Sequence, residues 1–228
     1  MHYDFIEVGT SDFDTLCQTC SDDQYGMSVE PVTECIRNLP NKSNVVKVNA
    51  ALVTNEYRAS NEIIEIFYID EKTIERENLG RWIRGCNKIN EPHEMHLAYV
   101  DDPSKWFAEG PSKSRNLVDE GLVTKDAIRC ITWNDLFSDF DVTSVGYVKI
   151  DAEGADADIV MGLMKECVHR NNVNLFPKTI RFENSSVGMH ERIKEAIAVL
   201  EKNNYYVIAD PDCPYDSVAT LIIPESNK

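Results

Sequence analysis

Short apolar runs alternate with amphipathic segments along most of the chain. Apolar runs that stop at a glycine, a proline or an acid are typical of buried strands, and helical periodicity between them predicts a parallel sheet covered by helices. The predicted strands are residues 3–8, 26–29, 45–52, 145–150, 178–182, 205–209 and 218–223. The predicted helices are residues 13–20, 32–39, 155–169 and 190–203. A proline-rich turn joins the last two strands, which predicts a hairpin that places one antiparallel strand in the sheet.

The middle of the chain does not follow this pattern. The pattern of residues 63–69 predicts an antiparallel strand. Residues 128–133 return to an extended pattern. Between them, residues 70–126 mix weak helical and extended signals with breakers such as Gly80, Gly85 and Pro92. A segment of this kind inside a compact domain is typical of a lid or a binding loop. We therefore predict a single domain over residues 1–228 with an insert at about 70–126.

The chain is acidic, with 23 Lys and Arg against 39 Asp and Glu and a formal net charge of −16. Such a charge repels a nucleic-acid backbone on average, so we expect no nucleic-acid partner. No apolar run approaches the roughly 20 residues that cross a bilayer, so we also expect no membrane insertion. The composition therefore disfavours both of these partners.

Seven cysteines at irregular spacing indicate reduced thiols, and the N-terminus lacks a secretory signal pattern, so we expect a cytoplasmic protein. Cys17 and Cys20 have the spacing of a redox or zinc site. No second pair of ligands follows them, and we interpret both as ordinary helix cysteines. The first predicted strand begins at residue 3, which suggests a domain of a longer, multidomain protein.

The predicted strand ends carry the candidate chemistry. In an open α/β sheet, ligands bind beyond the carboxyl ends of the strands, and Gly9 there provides a tight turn with little bulk. Glu30 follows the second strand, 21 residues after Gly9, where an acid can accept both hydroxyls of a ribose. A single glycine does not make the G-x-G-x-x-G loop of a dinucleotide site, which favours S-adenosyl-L-methionine as the cofactor. The predicted cofactor site comprises Glu7, Gly9, Thr10, Ser11, Glu30, Pro31, Ala51 and Asp151.

Acids and an amide also follow two later strands. Asp151 ends the predicted strand 145–150, and Glu183 and Asn184 end the next one. An all-oxygen set of this kind suits Mg²⁺ or Mn²⁺ rather than zinc. The alternative is that Asp151 or Glu153 caps the helix that follows and that Glu183 is a solvated strand end.

Four segments resemble the FkbM family of methyltransferases. They are residues 5–9 (FIEVG), 29–31 (VEP), 132–136 (TWNDL) and 148–156 (VKIDAEGAD), in the order in which the family has its corresponding motifs. The match to K-I-D-x-E-G-A-[DE] is the most specific of the four, and the resemblance covers about residues 4–183. The family pattern differs in one loop, because residues 11–14 read Ser-Asp-Phe-Asp where the family has Ala-Asn-x-Gly.

The resemblance implies a Rossmann-like class I methyltransferase fold, a central sheet of seven mostly parallel strands with one antiparallel edge strand and helices on both faces. It implies methyl transfer, usually to oxygen, on a sugar, a glycan or a similar polyhydroxylated metabolite. Glu7, Gly9 and Ser11 would line the methionine end of the cofactor, Glu30 would hold the ribose and Asp151 would lie beside the reacting centre. Related domains occur in glycan-modifying proteins, including those of large DNA viruses, which would place a viral member in the host cytoplasm.

The acceptor hydroxyl needs a base or a metal to remove its proton. Asp151, Glu183 and Asn184 resemble the metal triad of catechol O-methyltransferase, and Asp151 and His93 are the predicted catalytic residues. Trp82, Arg84 and Asn87 precede His93 and combine a ring, a cation and donors that suit a sugar. Two other functions stay open, an NAD(P)-dependent oxidoreductase on the same sheet and a binding domain without turnover.

Overall fold

A computed structural model of the chain describes residues 1–13, 15–102, 114–184 and 190–222. Its strands are β1 His2–Val8, β2 Gly26–Val29, β3 Val45–Val48, β4 Ala51–Leu52, β5 Ile63–Tyr68, β6 Lys88–Ile89, β7 Thr124–Ile131, β8 Ser144–Ile150, β9 Thr179–Glu183, β10 Tyr205–Ala209 and β11 Asp216–Leu221. Its helices are α1 Leu16–Thr19, α2 Thr33–Asn38, α3 Asn55–Ser60, α4 Glu71–Glu77, α5 Glu94–Leu97, α6 Trp133–Asp139, α7 Asp156–Arg170 and α8 His190–Lys202. Short 3₁₀ turns occupy Arg81–Gly85 and Val173–Leu175.

Seven strands form the main sheet in the spatial order β3-β2-β1-β8-β9-β11-β10. The strands are parallel except for β11, which is antiparallel to both β9 and β10. The prediction of a mostly parallel sheet with one antiparallel strand is confirmed. Its placement at the edge is wrong, because the tight turn after β10 returns the chain into the gap between β10 and β9. The edge strand is therefore β10, which runs parallel to the others.

Side chains on β1 alternate between two cores, which shows helices on both faces of the main sheet. Phe5 packs with Cys17 of α1 and Ile36 of α2. Its neighbour Ile6 belongs to the larger core, which also contains Trp133, Leu163 and Leu200 from α6, α7 and α8. Because adjacent residues of a strand point to opposite faces, these two helix sets cover opposite sides.

The predicted third strand, 45–52, divides between two sheets. β3 stays in the main sheet, and β4 joins a second sheet in the order β4-β7-β5-β6. Between them, the amide of Asn49 donates to the carbonyl oxygens of Glu30 and Pro31 at 2.9 and 3.0 Å, which ties the break to the end of β2. The antiparallel prediction for residues 63–69 is confirmed, since β5 is antiparallel to β7 and β6. The second sheet includes strands on both sides of the predicted insert 70–126, of which residues 103–113 lie outside the described ranges.

All seven cysteines are free, as predicted, and Cys17 and Cys20 are buried on the α1 side of the main sheet. Across residues 1–13, 15–102, 114–184 and 190–222, none of the helices combines the length and the apolar character needed to pass through a bilayer.

Candidate active site

A cavity of about 220 Å³ opens at the carboxyl ends of β1, β2 and β8. The chain continues from β1 to β2 on one side, and β8 lies on the other, so the order of the strands reverses at β1. Open α/β sheets bind ligands at such a switch point. Every predicted cofactor residue except Glu7 lines the cavity, namely Gly9, Thr10, Ser11, Glu30, Pro31, Ala51 and Asp151.

Two walls enclose this cavity. The strand-end wall consists of residues 9–11, Glu30 and residues 151–153, which follow the strands of the main sheet. The cover wall consists of Ile66, Gly85, Asn87 and Ile89, which belong to the second sheet and its connections. The sequence predicts the first wall as a cofactor site. In the second wall it predicts a strand at Ile66 and a donor for a sugar at Asn87, and it gives no role to Ile89.

Glu7 lies behind the strand-end wall rather than in it. Its side chain is fully buried, and its carboxylate accepts from the Leu16 amide at 3.0 Å and from Lys149 Nζ at 3.3 Å. Burial raises the pKa of Glu7, and the charge of Lys149 opposes that rise. Glu7 thus caps the start of α1, which begins at Leu16 rather than at the predicted residue 13. The structure gives this acid a supporting position and no direct contact with the cavity.

Gly9 is required by the approach of two strand ends. Its φ is +74°, and a Cβ at this position would lie 1.8 Å from the carbonyl oxygen of Asp151. The Asp151 amide donates to the Val8 carbonyl at 2.9 Å, so β1 and β8 stay in contact past their last residues. The sequence interpretation attributed this glycine to a ligand, whereas backbone packing already explains it.

Glu30 presents its carboxylate from the end of β2. It is 2% exposed, and it accepts from the Ser11 amide at 2.9 Å and the Val32 amide at 2.7 Å. Burial raises the pKa of Glu30 to about 7, although these amides favour the charged form. The two carboxylate oxygens offer about four lone pairs to three amides, those of Ser11, Val32 and Thr10, so the carboxylate retains acceptor capacity for a ligand.

Backbone strain concentrates at the strand-end wall. Within the described ranges, seven non-glycine residues have positive φ, and five of these are Asn or Asp, which tolerate it. The other two are Ser11 and Glu153, both at φ 48°, and both line the cavity. Such conformations cost on the order of 1–3 kcal/mol and cluster at functional sites. Ser11 Oγ is also buried without a hydrogen-bond partner among the described residues, so a ligand would satisfy it.

Glu153 and His93 form a pair beside the cavity. Glu153 Oε2 lies 2.9 Å from His93 Nε2, and the Met95 amide donates to His93 Nδ1 at 3.0 Å. Because Nδ1 accepts from that amide, the proton of the neutral ring must be on Nε2, which then donates to Glu153. His93, predicted as a base, therefore has its lone pair engaged at the start of α5 and does not line the cavity. The carboxylate that faces the cavity is Glu153, which sequence reasoning considered only as a helix cap.

Asp151 lies at the cavity mouth with its side chain 51% exposed. Desolvation raises its pKa to about 6, Lys149 at 3.9 Å opposes the rise, and the charges of Glu153 and Glu183 add to it. The charged side chains among the described lining residues are thus three acids, Glu30, Asp151 and Glu153, and one cation, Lys149. The remaining lining is largely apolar, and it includes Val29, Ala50, Leu52, Ile66 and Ile89.

The predicted metal triad of Asp151, Glu183 and Asn184 stays a prediction. The Asn184 side-chain nitrogen donates to Ser217 Oγ at 2.8 Å, a bond that does not involve Oδ1, the atom through which an asparagine binds a metal ion. Among the described residues, no group of three or more His, Cys, Asp or Glu side chains converges as metal ligands. We derive no reaction step through a metal at these residues.

Asp156 orders the loop that carries Asp151 and Glu153. It is 1% exposed, and its carboxylate accepts from the amides of Ala152, Gly154 and Glu183 at 3.3–3.4 Å. Burial raises the pKa of Asp156 to about 8, and the charges of Glu183 and Asp151 add to the rise. Neither Asp151 nor Glu153 caps α7, whose N-cap is Ala155 and has no side-chain hydrogen bond.

Two residues of the predicted sugar platform, Trp82 and Arg84, make internal contacts, whereas Asn87 lines the cavity. Trp82 stacks on Tyr99 with ring centroids 5.5 Å apart, and Arg84 is buried in ion pairs. Phe13 is instead the exposed aromatic ring at the cavity, with 46% of its surface accessible. The sequence signal for Phe13 is its place in the loop after β1, which the helix prediction for residues 13–20 obscured.

Neither the protein-family models nor the curated proteins contain a match to this chain. The functional conclusion therefore depends on the geometry and the chemistry of the cavity.

Proposed function

We propose that the protein is an S-adenosyl-L-methionine-dependent O-methyltransferase that acts on a hydroxyl of a sugar, a glycan or a similar polyhydroxylated metabolite. The observation that carries this proposal is the acid-rich cavity at the strand-order switch point, with Glu30 at the end of β2. A cofactor that combines a nucleoside with a cationic sulfonium matches both the position and the sign of charge. The resemblance to FkbM methyltransferases in four motifs supports the same class.

The residues present fit the parts of this cofactor. The apolar side chains of Val29, Leu52 and Ile66 offer a surface for adenine, and the Glu30 carboxylate would accept from a ribose hydroxyl. The unpartnered hydroxyl of Ser11 would bond to the polar methionine end. The carboxylates of the strand-end wall favour a positive charge in the cavity.

The dinucleotide alternative fits less well. A pyrophosphate binds at the amides of a helix N-terminus. Here the first amide of α1, that of Leu16, donates to the Glu7 carboxylate. Three acids against one lysine also repel two phosphate charges. The oxidoreductase is therefore the second candidate, and a domain that binds the cofactor without turnover is the third.

The proposed reaction needs the acceptor oxygen, the methyl carbon and the sulfur in line. S-adenosyl-L-methionine supplies an activated methyl group. Glu153 holds the acceptor hydroxyl through the carboxylate oxygen that His93 does not engage. Glu153 would accept the hydroxyl proton as the acceptor oxygen takes up the methyl group, which the bound cofactor would release from its sulfur. Asp151 at the mouth orients a second hydroxyl of a polyhydroxylated acceptor, and the cover wall excludes water.

Calorimetry with S-adenosylhomocysteine, NAD and NADP tests the cofactor. We expect heat with the first and none with the dinucleotides. Binding of NAD or NADP without S-adenosylhomocysteine binding would replace the proposal with the oxidoreductase. A screen for tritiated methyl transfer onto sugars and glycans then tests turnover. Cofactor binding with no labelled product on any hydroxylated acceptor would favour the binding domain.

A further inference from the structure

Arg84 is a buried cation between the two walls of the cavity. It belongs to the 3₁₀ turn Arg81–Gly85 and is 5% exposed. Its Nε donates to Asp12 Oδ1 at 3.1 Å, its Nη2 donates to Asp12 Oδ2, and its Nη1 pairs with Glu71. The two contacts with Asp12 form a bidentate pair, the arrangement in which arginine binds a carboxylate most specifically.

The residues next to this ion pair line the cavity from opposite sides. Ser11 and Phe13 flank Asp12 in the loop after β1, and Gly85 follows Arg84 on the cover wall. The Asn87 amide, also on the cover wall, donates to the Arg84 carbonyl at 2.8 Å. The pair between Asp12 and Arg84 is thus the buried link that joins the loop to the cover.

The loop has little intrinsic preference for its own shape. Ser11 adopts φ 48°, a conformation that glycine reaches without cost and that serine does not. The hydrogen bond from the Ser11 amide to Glu30 depends on that shape. Asp12 lies in the segment, residues 11–14, in which the chain departs from the FkbM-like pattern, and its carboxylate reaches Arg84 across 72 residues of sequence.

We propose that Arg84 is a positioning residue that holds residues 9–13, the loop after β1, in their binding shape through Asp12. The salt bridge offsets the conformational cost of the positive φ at Ser11. Without the guanidinium, the carboxylates of Asp12 and Glu30 repel each other, since the charge of Asp12 already raises the pKa of Glu30. The loop then moves away from Glu30, and the ribose and methionine contacts are lost together. The binding part of this inference rests on the proposed function.

Three variants and one combination test the proposal. Arg84→Gln and Asp12→Asn each break the link to the loop. Glu71→Gln leaves that link in place and breaks the other ion pair of Arg84, together with the ion pair between Glu71 and Arg81. We expect the Kd for S-adenosylhomocysteine to rise at least tenfold in the first two, and to stay within twofold in Glu71→Gln. The double variant Asp12→Asn/Arg84→Gln should bind no more weakly than Asp12→Asn alone, because both single substitutions remove the contact with Arg84 and only Asp12→Asn alters the bond from Asn38 to Asp12. Thermal unfolding of each variant measures the loss of stability with which the loss of affinity is compared.

The inference is overturned if the loss of affinity for S-adenosylhomocysteine parallels the loss of thermal stability in every variant, including Glu71→Gln. In that case Arg84 would only stabilise the fold. Amide hydrogen exchange without any ligand supplies a second test. We expect the Ser11 and Asp12 amides to exchange faster in Arg84→Gln and at the wild-type rate in Glu71→Gln. Unchanged exchange in Arg84→Gln would also overturn the inference. If wild type does not bind S-adenosylhomocysteine, the proposed function fails while the exchange result still decides the role of Arg84.

Discussion

The two walls of the cavity differ in how they are built. The strand-end wall contains the three acids of the cavity. Backbone amides donate to the carboxylate of Glu30 and to that of Asp156, and these bonds hold both segments in place. The cover wall contributes apolar side chains and one amide, and it is linked to the loop after β1 through Arg84 and Asp12. The acids thus lie on the wall with the denser backbone support. The other wall encloses them.

Replacement of the glycine on each wall tests this difference most strongly. Gly9→Ala places a methyl group on the Asp151 carbonyl at a positive φ, so we expect a loss of more than about 4 kcal/mol in the free energy of unfolding. Gly85→Ala meets only the Phe13 ring at 3.3 Å, and we expect a loss of about 1 kcal/mol. Urea unfolding measures both. Gly121→Ala, at φ +69° with open space around it, is the control for the backbone cost alone. Equal losses in Gly9→Ala and Gly121→Ala would contradict the close strand approach.

Neutralising Glu153 tests where the chemistry lies. We expect Glu153→Gln to lower kcat by about 10²–10⁴ while the Kd for S-adenosylhomocysteine stays within about threefold, because a general base acts on the acceptor and not on the cofactor. His93→Asn should keep the cap of α5 and lose the donor to Glu153, and we expect kcat to fall by about tenfold with the stability unchanged. Tritiated-methyl rates on an acceptor from the screen measure both. An unchanged kcat in Glu153→Gln would move the base to Asp151.

The pH dependence of stability tests the strand-end wall through Glu30. Its pKa in the folded protein, about 7, exceeds the ordinary 4.5, so the folded state binds this proton more tightly than the unfolded chain. The stability that Glu30 contributes is therefore full below pH 4.5 and is lost as the pH rises to about 7. Between these pH values we expect the free energy of unfolding of wild type to fall by up to about 3 kcal/mol more than that of Glu30→Gln.

Urea unfolding at a series of pH values measures this difference, and the comparison with Glu30→Gln cancels the parallel contributions of Asp151 and Asp156. No described residue of the cover wall brings an ionisable side chain to the cavity. The pH response of the cavity thus belongs to the strand-end wall. Parallel pH curves for wild type and Glu30→Gln would show that water reaches the Glu30 carboxylate in solution.

The smallest effect is expected at Asn184, which belongs to neither wall. Asn184→Ala removes a hydrogen bond to Ser217, so we expect a loss of about 1 kcal/mol in the free energy of unfolding and an unchanged methyl-transfer rate. A rate that falls in this variant and recovers with added Mn²⁺ would restore the metal triad.

Sequence reasoning located the strand-end wall because its residues follow recognisable strands. Glu30 and Asp151 each come directly after an apolar run, so their positions could be predicted from local pattern. The role of Glu7 could not be predicted in this way, because nothing in the local sequence shows that its carboxylate accepts from Leu16 and Lys149. The partner of Glu153 is 60 residues away, in a segment whose pattern predicts only an insert.

The sequence by itself determined the alternation of strands and helices, the mostly parallel sheet and the acids at its carboxyl edge. These features depend on periodicity and on the rule that parallel strands end together. Only the tertiary structure decided that β11 lies inside the sheet, that His93 donates to Glu153 and that Arg84 holds Asp12. Each of these depends on contacts between segments far apart in the chain, where the energy comes from shared burial and charge and not from local preference.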